Sequence, residues 1–500
     1  MDVLDIRLHI ACYLYNKDLA SCVRLSRSWH ASLVPTLYRT FNFCHVAYDP
    51  DLCNTLVRKY GQHIRYCTLD LLADIDTAAA HVTALESLKL ENLPSIGTRP
   101  PALHRSPEIW QSILRLAHSN PRLQRIIFAR RCWAPTREFL EQIATQCPSL
   151  KELEFYYQVF NEQSTLGLFR ALTRIENVSF LGTATKGTII PAQVTDPDSL
   201  EISSADNYDF SRLKSFSMSW PYRPEVWVTP QWIRSLSSIE RFDFETLDQV
   251  RWIRTQDVVE CIQAGCWPQL KSLHLRLDEA PDSVMANLLG SISGSLERLS
   301  FTNHTFESVE PLRILIDRHA HSLTELSLFL TNVPSRANQL MMVSLPNLVN
   351  LRLGALEARD ILDAEQGEWA CLRLQSLWIL ICRLDGEIAT GARVYAKLAR
   401  LMRLKELSLG PRTQAMALNA TKPFLSVRLH AGLGQLSALR MLETFVFIGM
   451  GYDIGEAEVV WMVEHWRRLR WIHGPLGYSR ETQTLTEILV RNGVRADKSY

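Results

Sequence analysis

The feature that most constrains this chain is a short apolar pattern that returns along most of its length. The pattern is apolar-x-x-apolar-x-apolar, and the segment from Leu85 to Leu90 is one copy. Copies that start at residues 270, 296, 323, 348 and 374 are separated by 26, 27, 25 and 26 residues. A chance pattern would not hold that interval, so the sequence predicts a repeat architecture rather than one ordinary core.

Each copy predicts a short strand followed by a helix. Alternate residues of a strand point to opposite faces, so the apolar positions of each copy would be buried on one face. The stretch from Thr136 to Ala144 has apolar residues at helical spacing, and Thr136 and Glu138 suit a helix start. One strand and one helix cannot bury their apolar faces alone, so stacked copies predict an α/β fold in which helices flank a curved parallel sheet.

The joins between helix and strand resemble a known class of repeat. The segment Gln142–Leu153 is similar to the join of the cysteine-containing leucine-rich-repeat class, and so are the segments 116–123 and 264–270. That class is typical of fungal-type F-box/leucine-rich-repeat proteins. The resemblance covers roughly residues 60–475 and implies a leucine-rich-repeat solenoid.

The first residues do not follow the repeat and read as short helices. Tyr13-Leu14 ends the first apolar helix, Asp18-Leu19 follows, and a basic helix ends at Trp29. In this order they resemble an F-box, a small all-helical domain, although Leu4-Asp5 stands where that family usually has Leu-Pro. The predicted domains are an F-box-like domain at 1–41, a connector at 42–63, the solenoid at 64–475 and a C-terminal cap at 476–500.

The resemblance implies the substrate-recognition subunit of an SCF-type E3 ubiquitin ligase. The F-box would bind the SCF adaptor protein and, through it, a cullin, while the repeats would hold a target protein. Catalysis would belong to partner subunits, so we expect this chain not to be an enzyme. The resemblance assigns adaptor contact to these residues: Leu4, Ile6, Leu8, Ile10, Leu14, Leu19, Val23, Leu25 and Trp29.

Target binding is predicted for the concave face of the sheet. The third, fifth and seventh positions of each copy alternate with the apolar positions and would point there. Aromatic and arginine side chains at such positions are those that most often anchor protein interfaces. The candidates are Glu154, Tyr156, Arg241, Asp243, His274, Arg276, Arg298, Phe329, Arg352 and Trp378.

Composition favours neither a nucleic-acid nor a membrane partner. The chain has 54 basic and 53 acidic side chains and a net charge of +1. Its most apolar short run, Leu377–Cys382, is far shorter than the roughly 20 residues needed to span a bilayer, and the acidic start does not resemble a secretory signal. The 11 cysteines include no C-x-x-C pair, so we expect buried reduced thiols in a cytoplasmic or nuclear protein.

Motifs of catalysis are missing from the sequence. There is no Walker loop and no Gly-x-Ser-x-Gly, and the glycines at 449, 451 and 455 fit a repeat loop better than a dinucleotide site. His319 and His321 are too close in sequence to share a helix face, and we expect them to be exposed at a helix-to-strand join. We therefore expect no catalytic residue, no metal and no cofactor.

Two other functions stay open at this point. The chain could be a non-catalytic leucine-rich-repeat scaffold or inhibitor with no ubiquitin-ligase role. A hydrolase grafted onto the array is the third hypothesis, for which the sequence offers no constellation of residues.

Overall fold

A computed structural model of the chain describes most of its residues. The described ranges are 3–43, 50–70, 75–91, 107–129, 135–156, 162–181, 208–220, 230–246, 255–276, 280–302, 304–328, 331–382, 388–410, 425–447, 454–476 and 481–497. The chain divides into two compact units, Met1–Ile253 and Arg254–Tyr500, which we call unit 1 and unit 2.

Unit 1 begins with three helices that form a small module. They are α1 (Val3–Ala11), α2 (Asn16–Cys22) and α3 (Arg27–Leu37). The Ser26 hydroxyl accepts a hydrogen bond from the Trp29 N–H at 3.2 Å and so caps α3. The centre of the module is small and consists of Ala11, Leu19 and Leu33.

The rest of unit 1 alternates strands with helices. The strands are β1 (Thr40–Asn42), β2 (Tyr66–Asp70), β3 (Ser87–Glu91), β4 (Arg125–Phe128), β5 (Glu152–Tyr156), β6 (Asn177–Leu181), β7 (Ser215–Trp220) and β8 (Arg241–Thr246). The helices are α4 (Pro50–Tyr60), α5 (Ile75–His81), α6 (Pro107–His118), α7 (Arg137–Gln146), α8 (Glu162–Leu172) and α9 (Pro230–Arg234). Each of these strands pairs in parallel with the next one along the chain.

Unit 2 repeats the arrangement. Its strands are β9 (Ser272–Arg276), β10 (Arg298–Thr302), β11 (Glu325–Ser327), β12 (Asn350–Glu357), β13 (Ser376–Cys382), β14 (Glu406–Leu409), β15 (Thr444–Val446), β16 (Trp471–His473) and β17 (Arg495–Asp497), again parallel and in chain order. Its helices are α10 (Thr255–Gln263), α11 (Asp282–Ser291), α12 (Glu310–His319), α13 (Ser335–Ser344), α14 (Ala358–Leu362), α15 (Ile388–Leu398), α16 (Glu456–His465) and α17 (Glu481–Arg491).

Parallel strands joined in chain order by helices are the architecture of a leucine-rich-repeat solenoid, as the sequence predicts. The strands extend beyond the predicted repeat region of 64–475, because β1 pairs with β2 and β17 pairs with β16. Only two residues separate the end of α3 from β1, and the Arg39 carbonyl there accepts the N–H groups of Arg65 and Tyr66 at 2.9 and 3.0 Å. The helical module is therefore tied directly to the first repeat.

The cores of the two units differ in composition. In unit 1 the phenylalanines at matching strand positions stack from one strand to the next, with ring centroids 4.9 Å apart for Phe128 and Phe155 and 5.3 Å apart for Phe155 and Phe180. Phe180 is opposite Met218, and Phe216 and Phe242 stack at 5.6 Å in the neighbouring apolar row. In unit 2 most of the buried strand residues are leucines and isoleucines, and Leu353 is one of them. We call the stacked rings of unit 1 the phenylalanine ladder.

The buried Asn120 side chain forms hydrogen bonds with the backbone at the turn between α6 and β4. Asn120 occupies the join position that Cys147 occupies one repeat later. Its amide oxygen accepts the Leu85 N–H at 2.7 Å, and its nitrogen donates to the carbonyls of Val82 and Leu116 at 2.8 and 2.7 Å. Backbone groups that the turn would leave without partners are satisfied in this way.

The cysteines of the described residues form no disulfide. Cys147 is buried, as expected, and burial raises the pKa of its thiol to about 11. Burial likewise raises the pKa of Cys371 to about 12. Cys22 and Cys382 are half-buried.

One prediction about a helix end was wrong. His319 was expected to be exposed at the join after its helix, but it is 2% exposed. It lies at the last position of α12, which packs against α11, so the helix buries this side chain against the preceding repeat. Burial lowers the pKa of His319, which favours the neutral imidazole.

Candidate functional site

Helix α1 exposes large apolar side chains. Their exposed fractions are 44% for Leu4, 44% for Ile6, 38% for Leu8 and 41% for Ile10. Leu25, just before α3, is 68% exposed. We call these five residues, which lie on two sides of α1 and just before α3, the apolar helix face. Isolated exposed leucines are ordinary, whereas a nine-residue helix that leaves four large apolar side chains exposed is typical of a surface that binds another protein.

The other residues assigned to adaptor contact lie inside the helical module or against its centre. Leu19 is buried, and Leu14, Val23 and Trp29 pack against the buried centre. The Arg7 guanidinium lies 5.4 Å from the centre of the Trp29 ring and donates to the hydroxyls of Ser28 and Ser32. These four apolar residues therefore support the module that positions the apolar helix face.

A second surface is the open face of the strands, the side chains that alternate with the buried apolar residues. In β5, Leu153 and Phe155 are buried, and Glu152 and Tyr156 lie half-exposed on the open face. The described sequence candidates for target binding lie on this face, whereas Phe329 lies outside the described residues. Because successive strands are parallel and in register, equivalent positions form continuous rows across neighbouring strands.

In unit 1 two arginines of the open face, Arg125 and Arg241, are each paired with carboxylates. The acidic patch is defined here as the open-face residues Arg125, Glu152, Glu154, Tyr156, Arg241, Asp243 and Glu245. Within it, two arginines meet four carboxylates. Arg241 binds Asp243 with 2.6 Å between Nη2 and Oδ2, and the Ser219 hydroxyl donates to Glu245 at 3.3 Å.

Arg125 is shared by two carboxylates, and they hold it unequally. Its guanidinium donates to Glu154, whose side chain is almost fully buried, and lies 3.3 Å from Glu152. Burial raises the pKa of Glu152; Arg125 opposes this shift, and the neighbouring Glu154 adds to it. Burial and the negative charge of Glu154 raise the pKa of Tyr156. The Arg125–Glu154 pair thus anchors the patch, and Glu152 contributes mainly negative charge.

In unit 2 the open face of the first strands is basic. The basic patch is defined here as His274, Arg276, Arg298, Ser300, Thr302, Glu325, Ser327, Asn350 and Arg352. Within it, three arginines face one carboxylate. That carboxylate, on Glu325, accepts a hydrogen bond from the Asn350 side chain at 3.0 Å. Arg298 and Arg352 are exposed, and neither forms an ion pair with any residue that the structure describes.

An aromatic side chain borders the basic patch. The Arg352 guanidinium carbon lies 5.0 Å from the centre of the Trp378 ring. The Trp378 indole N–H donates to Glu406 at 2.9 Å, and the Ser376 hydroxyl donates to the other oxygen of that carboxylate at 3.0 Å. Trp378 is therefore held in one orientation, with a cation on its face.

Sequence reasoning missed the partners that hold these candidates in place. Arg125 and Glu406 were not among the candidates, although each occupies a third position of its copy. The rule that placed Arg241 on the face would have found both. What the sequence could not supply was the register, which sets Arg125 opposite Glu152 and Trp378 opposite Ser408.

Among the described residues, no three His, Cys, Asp or Glu side chains are grouped as metal ligands. In the same part of the chain, no helix has the length and apolar character that crossing a membrane requires.

Comparisons with known proteins return structures alone. No protein-family model matches the chain, and no curated protein matches it. One similar solved structure is the crystal structure of a Rad7 and Elc1 complex in yeast, with a TM-score of 0.38, 13% identity, and coverage of 91% of this chain and 88% of that one. Another is a TLR13–ssRNA13 complex, with a TM-score of 0.31, 13% identity, and coverage of 88% of this chain and 65% of that one.

Proposed function

We propose that this chain is the substrate-recognition subunit of an SCF-type E3 ubiquitin ligase. The apolar helix face would bind the adaptor and, through it, a cullin, and the open faces of the repeats would bind a target protein. The chain would supply proximity and orientation, and partner subunits would supply the chemistry. Such a subunit would work in the cytoplasm or the nucleus.

The observation that carries the proposal is the apolar helix face. A helix that served only to cap the repeats would turn its large apolar side chains inward. In α1, Leu4, Ile6, Leu8 and Ile10 all remain substantially exposed, while the buried centre of the module contains only Ala11 from this helix. The order of residues that resembles an F-box supports the adaptor as the partner of this surface.

The test is adaptor binding by the intact chain. Replacement of Leu8 and Ile10 by serine should lower the affinity for the adaptor at least about tenfold, because each buried leucine or isoleucine contributes about 1.5–3 kcal/mol at an interface. The matched control is Leu372→Ser in unit 2, whose side chain is 44% exposed, close to the 38% and 41% of Leu8 and Ile10. The proposal fails if the intact chain does not bind the adaptor.

A deletion that removes the helical module should stop at residue 37. Tyr38 stacks on Tyr60 with ring centroids 4.1 Å apart, and β1 pairs with β2, so a deletion through residue 41 would damage the first repeat. Loss of adaptor binding with target binding retained would support the proposal. If the intact chain binds a target but neither the adaptor nor ubiquitin-transfer partners, the scaffold or inhibitor function replaces it.

A further inference from the structure

We propose that the basic patch of unit 2 binds an acidic segment of the target protein, through carboxylate or phosphate groups. This inference rests on the proposed function and specifies the chemistry of the target. It begins from two exposed guanidinium groups, those of Arg298 and Arg352, that form no ion pair within the described residues. Exposed arginines are the side chains best suited to bind carboxylate and phosphate, because their planar fork donates two parallel hydrogen bonds.

The register of the strands brings these groups together. β10, β11 and β12 are neighbours, and Arg298 and Arg352 lie on the outer two of them. Neighbouring strands are about 4.8 Å apart, and the register sets Arg352 two residues further along the sheet than Arg298, so their backbones are separated by roughly 12 Å. Side chains as long as arginine can close that gap around one anion or hold two successive anions of an extended peptide.

The residues between the arginines are hydrogen-bond donors. Ser300 and Ser327 occupy adjacent positions of one row, with His274 on one side and Arg352 on the other. The Thr302 hydroxyl and His274 Nε2 are buried beneath this row and have no hydrogen-bond partner among the described residues. The single carboxylate, on Glu325, is already bound by Asn350. The surface therefore combines excess positive charge with the half-exposed hydroxyls of Ser300 and Ser327.

Unit 1 provides an internal comparison, which shows that unpaired arginines are not a general feature of the open face of these repeats. Its acidic patch occupies the same strand positions, yet Arg125 and Arg241 are both paired with carboxylates. Unpaired arginines are ordinary on the solvated surfaces of this chain that the structure describes, as at Arg403 and Arg467, but neither arginine of the acidic patch is unpaired. Their presence on one patch and not on the other points to a partner that supplies the missing negative charge.

The experiment uses the full chain and short degenerate peptide libraries with fixed residues. One library carries glutamates, a second phosphoserines and a third glutamines at the same positions. Wild-type protein should retain the glutamate or the phosphoserine library in preference to the glutamine library, and retention should fall as salt is raised. A preference for phosphoserine identifies phosphate as the source of the anion, and equal retention identifies simple acidity.

The variant that tests the patch is the double substitution Arg298→Gln and Arg352→Gln. It should lower retention of the acidic libraries at least about fivefold, since two charge-assisted contacts are lost. The matched control is Arg403→Gln with Arg467→Gln, which removes the same charge from two exposed positions outside the strands. Both proteins should bind the adaptor as wild type does.

Three results would overturn the inference. The first is equal retention of all three libraries by the wild-type protein. The second is a loss of acidic-library retention in the control variant as large as that in the Arg298→Gln, Arg352→Gln variant. The third is stronger retention of a single-stranded RNA of random sequence that the double variant loses, which would assign the patch to nucleic acid. Adaptor binding is measured separately, so its failure alone would sink the ubiquitin-ligase function and leave the acidic-segment inference standing.

Discussion

Unit 1 and unit 2 use the same repeat and differ in the side chains of the core and in the charges of the open face. The core of unit 1 contains the phenylalanine ladder, and that of unit 2 is mainly aliphatic. The arginines of the acidic patch in unit 1 are paired with carboxylates, and the basic patch of unit 2 leaves Arg298 and Arg352 without an ion pair among the described residues. Both units nevertheless form parallel strands in the same order, so the apolar spacing specifies the fold and neither ring size nor surface charge is needed for it.

The largest expected effect is on the phenylalanine ladder. Phe180 lies between Phe155 and Phe216, and replacement by alanine should cost unit 1 about 3–5 kcal/mol, because a cavity opens and two ring contacts disappear. Phe180→Leu should cost clearly less, since it restores most of the volume. Urea unfolding followed by hydrogen exchange in unit 1 measures both variants. A cost below about 1 kcal/mol for the alanine variant would show that the ladder is not a unit of stability.

The second effect separates two neighbouring carboxylates of the acidic patch. Glu154→Gln should destabilise unit 1 by about 1–2 kcal/mol, because the buried partner of Arg125 is lost while Arg125 stays partly solvated. Glu152→Gln should be neutral within about 0.5 kcal/mol. Equal costs for the two variants would contradict unequal sharing of Arg125.

The same pair has a pH signature. The folded-state pKa of Glu152 is raised above the ordinary value of 4.5, so the stability it contributes is present below that value and is lost as pH rises through the folded pKa. Wild type should therefore lose stability over that range relative to Glu152→Gln. Parallel pH profiles for the two proteins would contradict the raised pKa.

In unit 2 we expect a smaller effect of pH on stability, in the opposite direction to that of Glu152. Burial lowers the pKa of His304, although Asp282 opposes the shift, and lowers the pKa of His319. A lowered histidine pKa contributes stability that is present above the ordinary value of 6.5 and is lost as pH falls through the folded pKa. Acidification should loosen β10–α12, measured by hydrogen exchange corrected for its intrinsic pH dependence.

The histidine variants test this assignment. His304→Gln should flatten the acid-induced loosening, and His321→Gln, which changes an exposed side chain, should leave it unchanged. Identical profiles for wild type and His304→Gln would remove the buried histidine as the cause.

The smallest effect compares one arginine from each patch. Arg241→Gln leaves Asp243 without its cation and should cost up to about 0.5–1 kcal/mol, the range of exposed ion pairs. Arg298→Gln breaks no ion pair of the described residues and should be neutral within about 0.5 kcal/mol. Thermal unfolding of both variants measures the difference. A clear loss of stability in Arg298→Gln would show that this arginine serves the fold and not a partner.

The repeat could be predicted from the sequence because its signal is periodic. Thr136 caps α7 as expected, its hydroxyl accepting the Phe139 N–H at 3.2 Å. The ends of the array were harder, since β1 and β17 have three residues each and carry too little pattern to stand out. His319 was misplaced because helical spacing alone does not say which neighbour a helix packs against.

The sequence predicts which candidate side chains lie on the open face, but it does not predict which residues they contact there. Alternation placed Arg241 and Arg298 on the open face equally well. Only the structure shows that the first is paired with Asp243 and the second is not. In the helical module, sequence spacing could not separate exposed Leu8 from buried Leu19, because both lie on short helices whose inner faces depend on how three helices pack.

Because only two residues join α3 to β1, the helical module is connected rigidly to the first repeat and not through a flexible linker. A flexible linker would let a bound target sample many orientations and would set only its average concentration near the helical module. The Arg39 carbonyl is bonded to the N–H groups of Arg65 and Tyr66 at the start of β2, which holds the helical module against the first repeat. The distance from the module to a strand of unit 1 would therefore grow by about 4.8 Å with each strand. Insertion of one glycine-rich turn at this step would leave the apolar helix face and the open face of the strands unchanged and would remove the fixed spacing between them.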